Sequence, residues 1–153
     1  MSRHTYDMGI VGNCAYLAHV DTLARVCWLC WPRFDKSCIF GRLLDTERGG
    51  ELTITGIDAT PMTQQYVRNT NVLETTVRTQ DGAFRVTDCA PRFERYERIN
   101  RPLILVRKLE PIASSPRIRV ICRPRGDYGA IAPEVSPRSN HFRYELGGAV
   151  FRR

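Results

Sequence analysis

A chain of 153 residues can bury a sizeable core and is the length of one domain. Its 42 % hydrophobic and 25 % charged content is that of an ordinary globular protein, and no apolar run approaches the ~20 residues of a membrane-spanning helix. The net charge of +7 comes mainly from arginines scattered at alternate positions, such as Arg117 and Arg119 or Arg123 and Arg125, which argues against a single nucleic-acid-binding patch.

The dominant period along the chain is two, the period of strands. Residues 1–12 contain no apolar run of signal-peptide length, so a cytoplasmic protein is expected. Strands are predicted at 9–12, 15–20 and 26–30. Within the third, Cys27-Trp28-Leu29-Cys30 forms a CxxC. On a strand, residues i and i+3 point to opposite faces, which suits neither a zinc site nor a redox pair opening a helix. Packed thiols are the expectation, and the six cysteines are read as reduced and mostly buried. Trp28 and Trp31 also fall on opposite faces. One anchors the core; the other offers either a sugar-stacking face or more core or interface packing.

Pro32 ends this strand and exposes Arg33-Phe34-Asp35. Those residues offer donors, an aromatic face and an acceptor to a polyhydroxylated ligand. Equally, they form a local ion pair, or a turn in which Asp35 caps Ser37 and Cys38. Gly49-Gly50 marks a turn. Further strands are predicted at 51–55, 65–68, 72–79 and 83–88, with Asp81-Gly82 as the hairpin turn between the last two. The charged segment 91–102 reads as a long connection with at most one helical turn. Strands follow at 103–109, 117–123 and 141–146, with a Pro-, Gly- and Ser-rich loop at 124–139. Short strands punctuated by Gly and Pro, with no long amphipathic helix, predict an all-β, antiparallel β-sandwich.

No catalytic set stands out. Inverting glycoside hydrolysis needs two carboxyl groups ~6.5–9.5 Å apart, and the sixteen acidic residues are scattered without an evident pair. His4, His19 and His141 show neither triad nor metal spacing. No catalytic residue, metal or cofactor is expected.

Several segments, in order, carry a family resemblance. They are Tyr6-Asp7-Met8-Gly9-Ile10-Val11-Gly12-Asn13-Cys14, then His19-Val20-Asp21, then Trp28 to Asp35 with Phe40 to Asp45. Tyr66-Val67 through Asn69-Thr70-Asn71-Val72-Leu73-Glu74-Thr75 follows, then Val86-Thr87-Asp88 with Pro91. Leu105-Val106-Arg107 and Arg123-Pro124-Arg125 through Asp127-Tyr128-Gly129 complete the series. Together they resemble the amino-terminal β-domain of bacterial glucoamylase- and trehalase-like enzymes, glycoside hydrolase family fifteen.

The resemblance implies a large β-sandwich packed beside an (α/α)6 barrel that holds the general acid and general base. It implies that residues 1–153 form one β-sandwich domain, incomplete at its C-terminus, of a hydrolase of α-glucosidic bonds. The barrel lies outside the sequence, so the chain alone is expected to be inactive. Its role is to support a barrel in cis or trans and to lend a loop to the pocket. Trp31, Arg33, Phe34, Asp35, Arg125 and Asp127 are the candidate pocket or domain-interface residues. The alternative is a stand-alone carbohydrate-binding or self-associating module. Expected partners are the barrel, a second copy and carbohydrate, with neither nucleic acid nor membrane.

Overall fold

A computed structural model of the chain describes residues 6–146 and 149–152; His4 lies outside the described residues. The described residues form antiparallel sheets. The first strands are β1 (Met8–Gly12), β2 (Leu17–Asp21), β3 (Val26–Cys30), β4 (Cys38–Phe40) and β5 (Glu51–Gly56). Next come β6 (Thr60–Tyr66), β7 (Leu73–Thr79), β8 (Gly82–Cys89), β9 (Phe93–Arg95) and β10 (Arg98–Asn100). The last are β11 (Val106–Ser114), β12 (Ile118–Arg123), β13 (Glu134–Pro137), β14 (Phe142–Leu146) and β15 (Ala149–Arg152).

One sheet runs β1-β2-β3-β5-β12, with β4 also on β3; a second runs β11-β8-β7-β6. Two small sheets, β9–β10 and β13-β14-β15, complete the fold. The two large sheets share the core, as expected of a sandwich. Val11, Ala18, Val20, Val26 and Leu29 of the first pack with Leu73 of the second. Ile54 of the first meets Val77, Phe84 and Val86 of the second. A Cβ at Gly9 would come within 2.4 Å of Leu73, so glycine lets β1 approach the opposite sheet there.

Polar side chains close the joints between these layers. The Tyr66 hydroxyl donates to the Ile10 carbonyl at 3.0 Å and accepts from the Ile10 amide at 2.7 Å, covering part of the outer edge of β1. Buried Asn13 donates to the carbonyls of Pro91 at 3.0 Å and Pro102 at 2.9 Å. The Tyr16 hydroxyl donates to the Ile104 carbonyl at 2.5 Å. A single turn, 13–16, thus ties down both ends of the 91–104 segment.

Several boundaries differ from the sequence expectation, each for a local reason. The strand predicted at 65–68 is β6, Thr60–Tyr66. It is a polar edge strand without apolar alternation, and Asn69 turns the chain at φ +61°. The strand predicted at 103–109 begins only at Val106, because the Asn13 and Tyr16 side chains hold the Pro102 and Ile104 carbonyls. The connection predicted at 91–102 contains the β9–β10 hairpin, with Tyr96 and Glu97 both at positive φ, 52° and 57°. That turn is built without glycine or asparagine, so no sequence signal marks it. The β7–β8 turn is Gln80-Asp81 rather than Asp81-Gly82, since Gly82 pairs with Thr79 in the ladder. The 124–139 loop holds β13 and a 3-10 turn, Asp127–Gly129.

The CxxC lies on β3 as expected. Cys27 and Cys30 are both buried, and a β-bulge between Leu29 and Cys30 breaks strict alternation. Cys38 is buried too, Cys89 and Cys122 are half-buried, and Cys14 is exposed. Burial pushes the Cys27 thiol from 9.0 up to about 11, helped by the negative charge of Asp21. Between these values the unfolded chain releases a proton that the folded chain keeps. Stability is therefore lost as pH rises from 9.0 to about 11. Replacing Cys27 by alanine is expected to make the alkaline stability slope shallower by up to about one proton, roughly a tenfold smaller change in the unfolding constant per pH unit. Urea titrations at stepped pH measure this; an unchanged slope would place the alkaline sensitivity elsewhere.

Candidate functional site

Three features are close enough to β4 and β3 to form one region: the 31–37 loop, the 125–131 turn and an apolar groove. The loop begins with a cis Trp31–Pro32 bond. Trp31 turns inward, its ring 5.2 Å from that of Tyr16 at a 55° tilt, and it lines the groove. Pro32 then turns the chain outward, and Arg33, Phe34, Asp35 and Lys36 are all exposed. Arg33 Nε donates to Asp35 Oδ1 at 3.0 Å. The Asp35 carboxyl is held below the usual carboxylate value by its own backbone amide first, with help from Arg33 and the charge of Lys36. The local ion pair, one of the alternatives left open by the sequence, is therefore present, and Phe34 beside it is 56 % exposed.

The 125–131 turn is fixed by backbone. The Arg125 amide donates to the Ile39 carbonyl of β4 at 2.9 Å. Gly126 and Ile131 exchange hydrogen bonds at 2.8 and 3.0 Å. Gly129 sits at φ +102°, where a Cβ would lie 2.8 Å from the Arg48 carbonyl. Asp45 secures the neighbouring 45–49 turn by accepting from the Glu47 and Arg48 amides at 2.8 and 2.9 Å, and those two bonds lower its carboxyl pKa. Arg125 is half-buried and Asp127 exposed. Both candidate clusters flank β4, but among the described residues no hydrogen bond or ion pair joins Arg33–Asp35 to Arg125 or Asp127. They are two separate stations on one side of the sandwich.

The groove has a volume of about 1050 Å³ and opens between the two large sheets. Leu29, Ile39, Phe40, Leu52, Ile54 and Val120 wall it on one side, and Leu105, Arg107 and Leu109 on the other. Arg107 is the residue that the sequence reading passed over. Its Nε donates to Asp88 Oδ1 at 2.6 Å, and its Nη2 donates to Asp88 Oδ2 at 3.1 Å and to the Ala24 carbonyl at 2.6 Å. Asp88 is fully buried and the Arg107 side chain is 9 % exposed. A signal did exist. Phe84, Val86 and Asp88 alternate on one face of β8, as Leu105, Arg107 and Leu109 do near β11. A charge at the apolar phase of two adjacent strands, in register as Arg107 and Asp88 are, marks a buried pair.

The other buried carboxylate, Asp21, accepts from the Leu23 amide at 3.0 Å, the Arg25 amide at 2.9 Å and Arg25 Nε at 2.6 Å. Each of these two buried carboxylates thus accepts a hydrogen bond from an arginine. Among the described residues, no group of three or more His, Cys, Asp or Glu side chains could hold a metal ion. What the region offers is surface and an open apolar groove.

Residues 3–148 match the "Trehalase-like, N-terminal" family. The chain belongs to that family. As a trehalase-like N-terminal domain it is 30 % identical over 122 residues to Trehalase 1 of Sulfolobus acidocaldarius, a match covering 78 % of this chain and 22 % of that protein. It is 29 % identical over 137 residues to a trehalase of Thermoplasma volcanium, covering 88 % of this chain and 22 % of the relative. A trehalase of Mycolicibacterium smegmatis is 26 % identical over 140 residues, with coverage of 82 % and 21 %. The chain thus spans about a fifth of the length of the curated relatives it matches. No solved structure matches it. No helix among the described residues is long and apolar enough to cross a membrane.

Proposed function

We propose that this trehalase-like domain is the non-catalytic β-domain of a cytoplasmic glycoside hydrolase of the glucoamylase and trehalase type, acting on α-glucosidic bonds. On this reading residues 1–153 are one structural domain, and an (α/α)6 barrel in the same polypeptide, or in a partner chain, supplies the acid and the base. The observation that carries the reading is the family match over residues 3–148, combined with its share of only about a fifth of each trehalase. The pairing of the buried Asp21 and Asp88 with arginines fits a structural role for both. Trp31 roots the 31–37 loop in the core. Arg33, Phe34 and Asp35 form the side facing the barrel or its pocket, and Arg125 and Asp127 extend the same surface.

The isolated chain is expected to release no glucose from trehalose or maltooligosaccharides above the uncatalysed background, as read by a coupled glucose assay. Steady turnover that survives repurification would overturn the reading. The exposed Phe34 ring beside the Arg33–Asp35 pair also favours a second role, sugar binding. In that case calorimetry with trehalose or maltooligosaccharides shows saturable heat that Phe34→Ala removes. No heat from either sugar ends that role.

A further inference from the structure

The second cysteine of the CxxC has its partner on the neighbouring strand, not within the motif. Leu29 of β3 stands opposite Phe40 of β4, and a regular antiparallel ladder would next set Cys30 opposite Ile39. The β-bulge leaves Ile39 without an opposite residue and brings Cys38 opposite Cys30 instead. Directly opposed residues of an antiparallel pair project to one face, with Cα atoms ~4.5–5.5 Å apart. That lies inside the ~4.4–6.8 Å that a disulfide spans.

Both thiols are free and buried, Cys38 at 2 % exposure and Cys30 at 9 %. Burial raises the Cys38 thiol above its ordinary value, and the neighbouring Cys30 raises it further. Burial raises Cys30 as well, partly offset by a hydrogen bond from Trp28. Raised thiols slow the first attack on an oxidant without changing which pair can close. Cys27 is engaged elsewhere: its Sγ donates to the Arg25 carbonyl at 3.5 Å. Between Cys30 and Cys38 lies the 31–37 loop, with Arg33, Phe34 and Asp35 on it. A bond between these two sulfurs closes that loop at its base.

We infer that Cys30 and Cys38 are a modification site, a cross-strand dithiol that a low-molecular-weight disulfide converts into a bridge between β3 and β4. Cys30, the more exposed of the two, reacts first. Its thiolate attacks one sulfur of the reagent disulfide, forming a mixed disulfide and expelling a reagent thiolate that takes up the proton Cys30 lost. The Cys38 thiolate then attacks the Cys30 sulfur and expels the second reagent thiolate, which takes up the Cys38 proton. Two protein thiols give up two electrons and two protons, and one reagent disulfide leaves as two thiols. The site goes beyond the hydrolase reading and holds whatever surface the loop faces.

The test treats the folded 153-residue chain with oxidised glutathione, then blocks free thiols, digests with trypsin without reductant and reads the peptides by mass spectrometry. Cleavage after Arg25, Arg33, Lys36 and Arg42 leaves Cys27 and Cys30 on peptide 26–33 and Cys38 on peptide 37–42. The expected product is these two peptides joined, lighter by two hydrogens than their sum. Cys27→Ala keeps the joined product, and Cys30→Ala and Cys38→Ala each lose it. If a variant does not fold, fragmentation of the joined wild-type peptides assigns the bond to Cys27 or Cys30 directly. The oxidised chain is also expected to unfold in urea with a constant lowered by roughly tenfold or more, restored by dithiothreitol. Glutathione adducts without the joined peptides, a bond from Cys27 or another cysteine in their place, or no oxidation at all overturns the inference. A joined product that forms only in urea overturns it too, since the pair is then not set by the folded register.

Discussion

Replacing Asp88 by alanine is expected to destabilise the domain by about 3–5 kcal/mol, the usual cost of leaving one partner of a buried ion pair uncompensated. Asp88 is fully buried and accepts two hydrogen bonds from Arg107. Without it, the guanidinium keeps only the Ala24 carbonyl as a hydrogen-bond acceptor, in a largely apolar wall. Desolvation of the orphaned cation then outweighs the loss of one attraction. The discriminating control removes both charges at once. An Asp88→Leu, Arg107→Leu double variant is expected to recover most of the loss, since similarly sized apolar pairs often match buried ion pairs. Urea midpoints at constant slope measure all three proteins. A loss under about 1 kcal/mol in the single variant would mean that water reaches Arg107 through the groove.

Phe84→Ala is expected to destabilise by about 3–5 kcal/mol as well, by a different mechanism. Phe84 is 1 % exposed and lies at the centre of β8, opposite Val77 on β7 and Pro111 on β11. It packs with Ala24, Ile54, Val77 and Val86, so truncation opens a void between the sheets. The comparison is Tyr96→Ala on the β9–β10 hairpin. Tyr96 is 83 % exposed, and its loss is expected to stay within about 0.5 kcal/mol. Equal effects at the two positions would mean that Phe84 does not sit in a packed core.

Among the strands that read clearly in the sequence are those that meet the core. In β3, β7 and β8, β-branched and aromatic residues meet a core, and their boundaries follow the pattern closely. β6 was displaced and β9, β10 and β13 were missed for the converse reason, whereas the outer strands β1 and β12 were placed to within a residue. Thr60 to Gln65 of β6 are mostly exposed, so nothing imposes a period of two. The β9–β10 hairpin turns through Tyr96 and Glu97 in left-handed conformations that its residue types do not announce. At the candidate site, Pro32 divides the half-buried Trp31 from the exposed Arg33–Asp35 pair. Arg107 was missed because the arginines were read only as scattered charge at alternate strand positions. Its apolar phase, shared with Leu105 and Leu109, and the register of β11 against β8 distinguish it from its neighbours. The groove could not have been read at all, since its walls come from β3, β4 and β5 together with β11 and β12, which are far from them in sequence.

The pairing of β12 with β5 has a kinetic consequence. The strands β6, β7 and β8 follow one another in a meander, and β11 joins β8 after the short β9–β10 hairpin, so each can pair with little intervening chain. Sheet closure on the other side differs: Gly56 must find Ile118, with the whole of the first meander lying between them in the chain. Closing so long a loop carries the larger entropic barrier and is rewarded only once the meander exists. β12 is therefore expected to dock late on the folding path. One wall of the groove is the slowest part of the domain to be made.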